Sequence, residues 1–202
     1  MQFRTAFLVL LFGVFSCATE SGVDDPLADY EEVDAATILD APSAKPGQSS
    51  PENRFLADRG EYLVELLGCG SCHTHGALIG EPDMEKSLAG SRIGIAASNP
   101  LGDEHPGVVF AANITPDTET GIGLWSDQQI ANALRAGLGR HLGKRIPVMP
   151  WQAYAKISDD DTAAIIAYLR SIEGIKHRVP DEIAPGQRTT ESFVYFGVYR
   201  SR

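Results

Sequence analysis

Three segments of the chain repeat apolar residues at helical spacing. In the first segment, Leu56, Leu63, Val64 and Leu67 fall on one face, and the run stops at Gly68. Spacing of three, four and seven residues is typical of an amphipathic helix, and glycine often follows its last turn. The pattern therefore predicts a first helix that ends at Gly68.

Two further helices begin with a capping pattern. Ser126 precedes Gln129 by three residues, which is a capping box and predicts a second helix over 127–137. Ser158 stands in the same relation to Asp161, ahead of a third predicted helix. The apolar faces are formed by Ile130, Ala133, Leu134 and Leu138 in the second helix and by Ile165, Tyr168, Leu169 and Ile172 in the third.

Between residues 76 and 123 the chain has no sustained period, and it is rich in glycine, proline and turn residues. A loop of this length in a compact domain usually wraps something. No segment shows a convincing strand pattern. We therefore predict an all-α fold in which three main helices and long loops enclose a ligand.

The first sixteen residues form an apolar run after Arg4 that is too short to span a bilayer, and they predict a secretory signal. The sequence Val14-Phe15-Ser16-Cys17 resembles the bacterial lipobox, which implies a lipid on Cys17 and anchoring by acyl chains. The alternative is an ordinary cleaved signal with Cys17 lost or left as a stray thiol. Because Ala18 is not the aspartate of inner-membrane retention, the pattern favours the periplasmic side of the outer membrane.

The formal net charge of −10 is concentrated ahead of the predicted core. Between Glu20 and Glu65, twelve acidic residues face three basic ones. Such a segment repels nucleic acid, so phosphate-backbone binding is disfavoured as a function. The composition predicts an acidic, disordered tether over 17–53 that buries no core, followed by one domain over 54–175 and a C-terminal extension over 176–202.

The motif that carries chemistry is Cys69-Gly70-Ser71-Cys72-His73. Two thiols at this spacing match the two vinyl groups of haem, and the histidine that follows offers an imidazole to the iron. A zinc site needs a second pair of ligands, and a thioredoxin-like dithiol follows a strand rather than a helix. The motif predicts one covalently attached haem c, with His73 as an iron ligand that donates its other ring proton to a backbone carbonyl.

Met149 is the predicted second iron ligand, because Pro147 and Pro150 stiffen its loop and lower the entropy lost on ligation. Its alternative role is that of a core methionine. Trp151 and Tyr154 are haem-pocket candidates. The other possible ligands are less favoured: an exposed turn holds Met84, His75 is too near His73, and polar loops hold His105, His141 and His177.

The first helix running into Cys69, the final capped helix and the methionine loop between them resemble class I cytochromes c. A narrower resemblance, over roughly residues 55–173, is to the haem domains of bacterial membrane-associated alcohol and sugar dehydrogenase cytochrome subunits. It implies that the first and last helices cross, with Gly60 allowing close approach to Tyr168 and Leu169. The matching motifs are Asn113-Ile114-Thr115-Pro116-Asp117, Thr118-Glu119-Thr120-Gly121-Ile122-Gly123, Trp125-Ser126 and Met149-Pro150.

These features predict a single-electron carrier rather than an enzyme, with a dehydrogenase or oxidase as its redox partner. Histidine and methionine ligation favours a raised reduction potential. The partner is expected to present a basic surface and to bind briefly. Two alternatives stay open: a single-haem gas sensor or enzyme with an open sixth site, and a subunit that passes electrons only within a dehydrogenase complex.

Overall fold

The computed structural model describes residues 44–47, 54–97, 107–139 and 148–197. The predicted signal, Cys17, His105 and His141 lie outside these ranges. Short 3₁₀ turns occupy Ala77–Ile79 and Met84–Lys86. The helices are α1 (Arg54–Leu66), α2 (Cys69–His73), α3 (Asp127–Ala136), α4 (Trp151–Tyr154) and α5 (Asp159–Ser171), and the strands are β1 (Gly94–Ala97), β2 (Val108–Val109) and β3 (Phe193–Phe196).

The crossing of α1 and α5 is the centre of the helical fold. Gly60 lies directly against α5, where an added Cβ would overlap the carbonyl oxygen of Ala164 and the Cβ of Tyr168. Tyr168 and Leu169 are each 5% exposed and belong to the main core. The helix crossing implied by the family resemblance is confirmed.

The predicted capping patterns at α3 and α5 are both present. At α3, the Ser126 hydroxyl accepts from the backbone N–H of Gln129, whose side chain accepts from the Ser126 N–H. At α5, the Ser158 hydroxyl accepts from the Asp161 N–H at 3.1 Å. These bonds satisfy backbone donors that a helix start leaves free, so they fix where each helix begins.

One large cluster of buried side chains joins α1, α3, α5 and the loop before α3. Part of the predicted tether also reaches it: Ala44 is 8% exposed, and the Gly47 N–H donates to the Ser171 carbonyl at 2.8 Å. The expectation that residues 17–53 bury no core is wrong for this short stretch, because chain pairing at the end of α5 covers it. The buried members are Ala44, Val64, Leu88, Ile122, Ile130, Leu134, Ile165, Ile166, Tyr168, Leu169 and Ile172.

A three-stranded sheet in the order β2, β1, β3 lies outside that cluster. Strand β1 pairs antiparallel with β2 and parallel with β3, with Ile95 opposite Val109 and Val194. The expectation that the chain has no strand is wrong here. The strands have only two to four residues and pair across long stretches of sequence, so no local period announces them.

The sheet joins the aperiodic stretch between residues 76 and 123, which contains β1 and β2, to the predicted C-terminal extension, which contains β3. Ala96, Val108 and Phe110 form a second buried cluster, against which Val179, Ile183 and Tyr195 pack. The all-α class holds for the main domain. In the ranges that the structure describes, no helix is both long and apolar enough to cross a membrane.

Candidate haem site

The turn from α1 into α2 places both cysteines and the histidine on five consecutive residues. Gly68 adopts a left-handed conformation (φ 67°), which ends α1 and lets α2 begin at once. Neither Cys69 nor Cys72 forms a disulfide, and both are half-buried. Burial raises the pKa of the Cys69 thiol to about 11 and raises the pKa of Cys72 in the same direction.

The imidazole of His73 is oriented by the backbone of a distant segment. Its Nδ1 lies 2.7 Å from the carbonyl oxygen of Ala112, and because a carbonyl only accepts, the ring donates its Nδ1 proton. Loss of hydration lowers the pKa of His73, while this hydrogen bond opposes the shift. The hydrogen bond occupies Nδ1 and leaves Nε2 as the ring nitrogen that can bind a metal.

Met149 lies half-buried against the main core cluster, just ahead of α4. Its carbonyl oxygen accepts from the Trp151 N–H at 2.8 Å, so the loop turns directly into the helix. Met84, by contrast, is 52% exposed on a 3₁₀ turn, as the sequence predicted. Pro147, the other predicted brace of the methionine loop, lies outside the described residues.

Two aromatic side chains follow Met149 and connect its loop to the rest of the site. The Tyr154 hydroxyl donates to the Leu67 carbonyl at 3.1 Å, which ties α4 to the chain just before Cys69. The Trp151 ring packs against Gly137, where an added Cβ would overlap it. Both residues thus link the methionine segment to other elements of the domain.

Partly buried apolar side chains pack on the main core cluster, and Cys69, Met149 and Trp125 are among them. Trp125 also lines a cleft of about 230 Å³, together with Gln129, Asn132, Leu138 and Gly139. Two thiols, an imidazole, a thioether and partly exposed apolar side chains are a donor set that fits haem c. The apolar residues that pack on the core without being fully buried include Leu67, Ile114, Trp125, Met149, Tyr154 and Ile157.

His75 and His177 are held to each other and to the backbone. His75 Nδ1 accepts from the Arg92 N–H at 3.2 Å, His177 Nδ1 donates to the Ala89 carbonyl at 2.9 Å, and the ring centroids are 5.8 Å apart. His177 is partly exposed, and its backbone N–H also donates to the Thr120 hydroxyl at 3.0 Å. Across the described ranges, no three His, Cys, Asp or Glu side chains form a metal centre.

The prediction that His73 donates its other ring proton to a backbone carbonyl is confirmed. The sequence does not identify Ala112 as the residue that provides it, because a backbone carbonyl carries no signal of its own. Asn113, which follows Ala112, belongs to one of the family motifs, is only 2% exposed and has a fully hydrogen-bonded side chain. The buried Asn113 amide lies next to the Ala112 carbonyl, and it therefore connects the family motif that begins at Asn113 to the candidate haem site.

Comparison with known proteins gives a consistent result. The family model for cytochrome c matches residues 57–173. The chain is 34% identical over 142 residues to the cytochrome c subunit of a quinone alcohol dehydrogenase from Gluconobacter oxydans, covering 70% of this chain and 26% of that subunit. It is 33% identical over 128 residues to a fructose dehydrogenase cytochrome subunit from Gluconobacter japonicus, covering 62% and 24%.

A third relative is the gluconate 2-dehydrogenase cytochrome c subunit of Pantoea cypripedii, which is 35% identical over 116 residues. The match covers 57% of this chain and 23% of that subunit. In all three comparisons the aligned region amounts to about a quarter of the relative's length. The similarity therefore concerns a domain and not a whole relative.

Proposed function

This chain belongs to the cytochrome c family, and from that premise we propose that it carries single electrons on one haem held by Cys69, Cys72, His73 and Met149. A cytochrome c domain binds haem c covalently and transfers electrons. The count of one haem rests on the single Cys-x-x-Cys-His sequence in the chain. The choice of the four residues is supported by the Cys-x-x-Cys-His motif, by the hydrogen bond of His73 and by the half-burial of Met149 on the core.

The observation that carries the proposal is the hydrogen bond between His73 Nδ1 and the Ala112 carbonyl, 2.7 Å long. It commits one ring nitrogen to the protein and leaves Nε2 for iron, directly beside the two thiols that would form the thioether bonds. Metal-ligating histidines nearly always have such a partner on the other nitrogen. When bound, the haem supplies the electron-accepting iron.

Met149 is proposed as the second ligand because it lies half-buried on the core, in a loop that turns directly into α4. Its backbone is tied through Trp151 and Tyr154 to the ends of α3 and α1. A thioether ligand opposite histidine favours the ferrous state and raises the potential. A closed sixth position also suits a carrier, because it keeps small molecules from the iron.

The test is optical spectroscopy of the exported, haem-loaded chain in ferric and ferrous forms, with and without carbon monoxide. We expect a low-spin wild type that ignores carbon monoxide and a Met149→Ala variant that binds it. Met84→Ala is the matched control, since this exposed methionine should leave every spectrum unchanged. A wild type that binds carbon monoxide readily contradicts methionine ligation and supports the gas sensor or enzyme. Intact mass gives the haem count.

We further propose a dehydrogenase as electron donor and a lipid on Cys17 as the membrane anchor, on the periplasmic side of the outer membrane. The first is supported by the names of the relatives, which are dehydrogenase subunits. The second is supported by the lipobox-like sequence before Cys17. If Cys17 carries the lipid, the wild-type chain fractionates with membranes and Cys17→Ser releases it. If a dehydrogenase is the electron donor, extraction of the wild type with mild detergent recovers the two proteins together.

A further inference from the structure

Asn113 is a buried amide whose four hydrogen-bonding positions are all used. Its Oδ1 accepts from the Thr115 N–H at 2.9 Å and from the Thr115 hydroxyl at 2.7 Å. Its Nδ2 donates to the Ile175 carbonyl at 2.7 Å and to the Thr120 hydroxyl at 3.0 Å. A buried side chain with two donors and two acceptor sites satisfied fixes the backbone that carries it.

The Asn113 N–H and the Ala112 carbonyl belong to one planar peptide group, so holding Asn113 also holds the oxygen that His73 uses. The same stretch is fastened on its other side. The Ser91 N–H donates to the Ala111 carbonyl at 3.0 Å, and the Ile114 N–H donates to the Leu88 carbonyl at 3.0 Å. Within residues 111–114, the Asn113 side chain extends to the segment after α5, where it donates to the Ile175 carbonyl.

The segment next to the cysteine turn is clamped as well. The Gly90 N–H donates to the His73 carbonyl at 2.7 Å, and the Leu88 N–H donates to the Thr74 hydroxyl at 3.1 Å. His73 is therefore held at its backbone by residues 88–90 and at its ring by Ala112. The length and direction of the hydrogen bond from His73 Nδ1 then depend on how firmly Asn113 and its neighbours hold the Ala112 carbonyl.

We propose that Asn113 is a positioning residue that sets the reduction potential of the haem by fixing the carbonyl that accepts the His73 Nδ1 proton. The inference rests on the proposed ligation by His73. A well-placed carbonyl draws the Nδ1 proton and makes Nε2 a stronger electron donor, which favours ferric iron. Loosening the carbonyl weakens this effect, so the ferrous state gains and the potential rises.

The experiment is redox titration of the full, haem-loaded chain as wild type, Asn113→Ala and Thr115→Val. In Asn113→Ala the hydrogen bond from His73 to the Ala112 carbonyl is weakened. If the loss equals the usual net contribution of one hydrogen bond, the ferrous-to-ferric ratio at a fixed potential rises about threefold to tenfold. For one electron this is about 30–60 mV. Thr115→Val keeps the side-chain shape but removes the hydroxyl between Asn113 and Ile175, so it should shift the ratio in the same direction and by less.

Ser158→Ala is the matched control, because it loses a helix cap and stability without touching residues 111–115. Its potential should equal that of the wild type. If Asn113→Ala shifts the ratio by less than about twofold, or no more than Ser158→Ala does, Asn113 only supports the fold and the inference is wrong. If Asn113→Ala does not accumulate, the sign of the Thr115→Val shift decides the matter.

A second readout separates this inference from the proposed methionine ligation. In the ferrous Met149→Ala chain, whose open sixth position is verified by carbon monoxide binding, the iron–histidine stretching frequency reports the hydrogen bond on His73. Adding Asn113→Ala should lower that frequency. An unchanged frequency overturns the role of Asn113, whereas an open sixth site in the wild type with a lowered frequency overturns only the role of Met149.

Discussion

The helical core and the small sheet hold the chain together by different means. In the core, α1 and α5 meet through a glycine, and each helix start of α3 and α5 has its own side-chain cap. In the sheet, β1 and β3 are separated by almost a hundred residues and share a cluster of few side chains. Local sequence signals thus define the helical part, which carries the candidate haem site, whereas pairing between distant segments defines the sheet.

The largest expected effect is at the α1–α5 crossing. Gly60→Val would push a branched side chain into the carbonyl of Ala164, and we expect a loss of about 4 kcal/mol in the free energy of unfolding. Gly68→Ala is the control, because its φ of 67° costs only about 1 kcal/mol and the nearest atom to the added Cβ is 3.6 Å away. Urea unfolding measures both. Equal losses would mean that the crossing tolerates a side chain.

The next effect concerns the sheet alone. Phe110 is 7% exposed in the small cluster, and Phe110→Ala should cost about 3 kcal/mol, the low end for a buried ring, because few residues surround it. Amide hydrogen exchange should accelerate in residues 94–97 and 193–196 and stay unchanged in α5. Phe193→Ala, at a ring 41% exposed, serves as the control. Faster exchange in α5 as well would show that sheet and core unfold as one unit.

A smaller change tests the caps of the core. Ser158→Ala removes the acceptor for the Asp161 N–H at the start of α5 and should lower the free energy of unfolding by about 1 kcal/mol. Thermal unfolding measures the loss. Ser158→Asp restores an acceptor and should recover most of the stability. If the aspartate variant is as unstable as the alanine variant, the hydrogen bond is not the source of the loss.

The smallest effect is a pH dependence in the loop that leads from the Ala112 segment to α3. Asp117 Oδ1 accepts from the Thr120 hydroxyl at 2.7 Å and from the Thr120 N–H at 2.6 Å, and these bonds lower the pKa of the carboxyl. A lowered folded-state pKa gives stability that is present above the unfolded value near 3.8 and is lost as the pH falls below it. Asp117→Asn should flatten the fall in stability that the wild type shows as the pH drops below 3.8. Parallel curves for wild type and Asp117→Asn would contradict this.

The sequence was informative where a physical signal is local. Apolar spacing and the serine caps predicted α1, α3 and α5, with ends within one or two residues of those observed. The close contact at Gly60 was implied by resemblance to a family and then observed. The half-burial of Met149 is compatible with the proposed ligand and equally with a core methionine, so its role stays a prediction.

The sheet and the carbonyl that accepts from His73 could not be predicted from the sequence, because both depend on contacts between residues far apart along the chain. Strand β3 lies in the predicted C-terminal extension, and its pairing with β1 is set by tertiary packing. The carbonyl that orients His73 is a backbone group 39 residues away. Asn113 is the side chain next to that carbonyl in the sequence. Its role becomes visible only in the structure, where its amide bonds to Ile175 at one end and to Thr115 at the other.

The parallel pairing of β1 with β3 also makes the sheet depend on the far end of the sequence. Gly94 pairs with Phe193, so β1 cannot complete its sheet until about a hundred further residues are available. Without them, Ile95 lacks its partner strand and Phe110 lacks the tail residues that pack against its cluster. A chain truncated before residue 193 is therefore expected to associate with other chains more readily than the full-length chain.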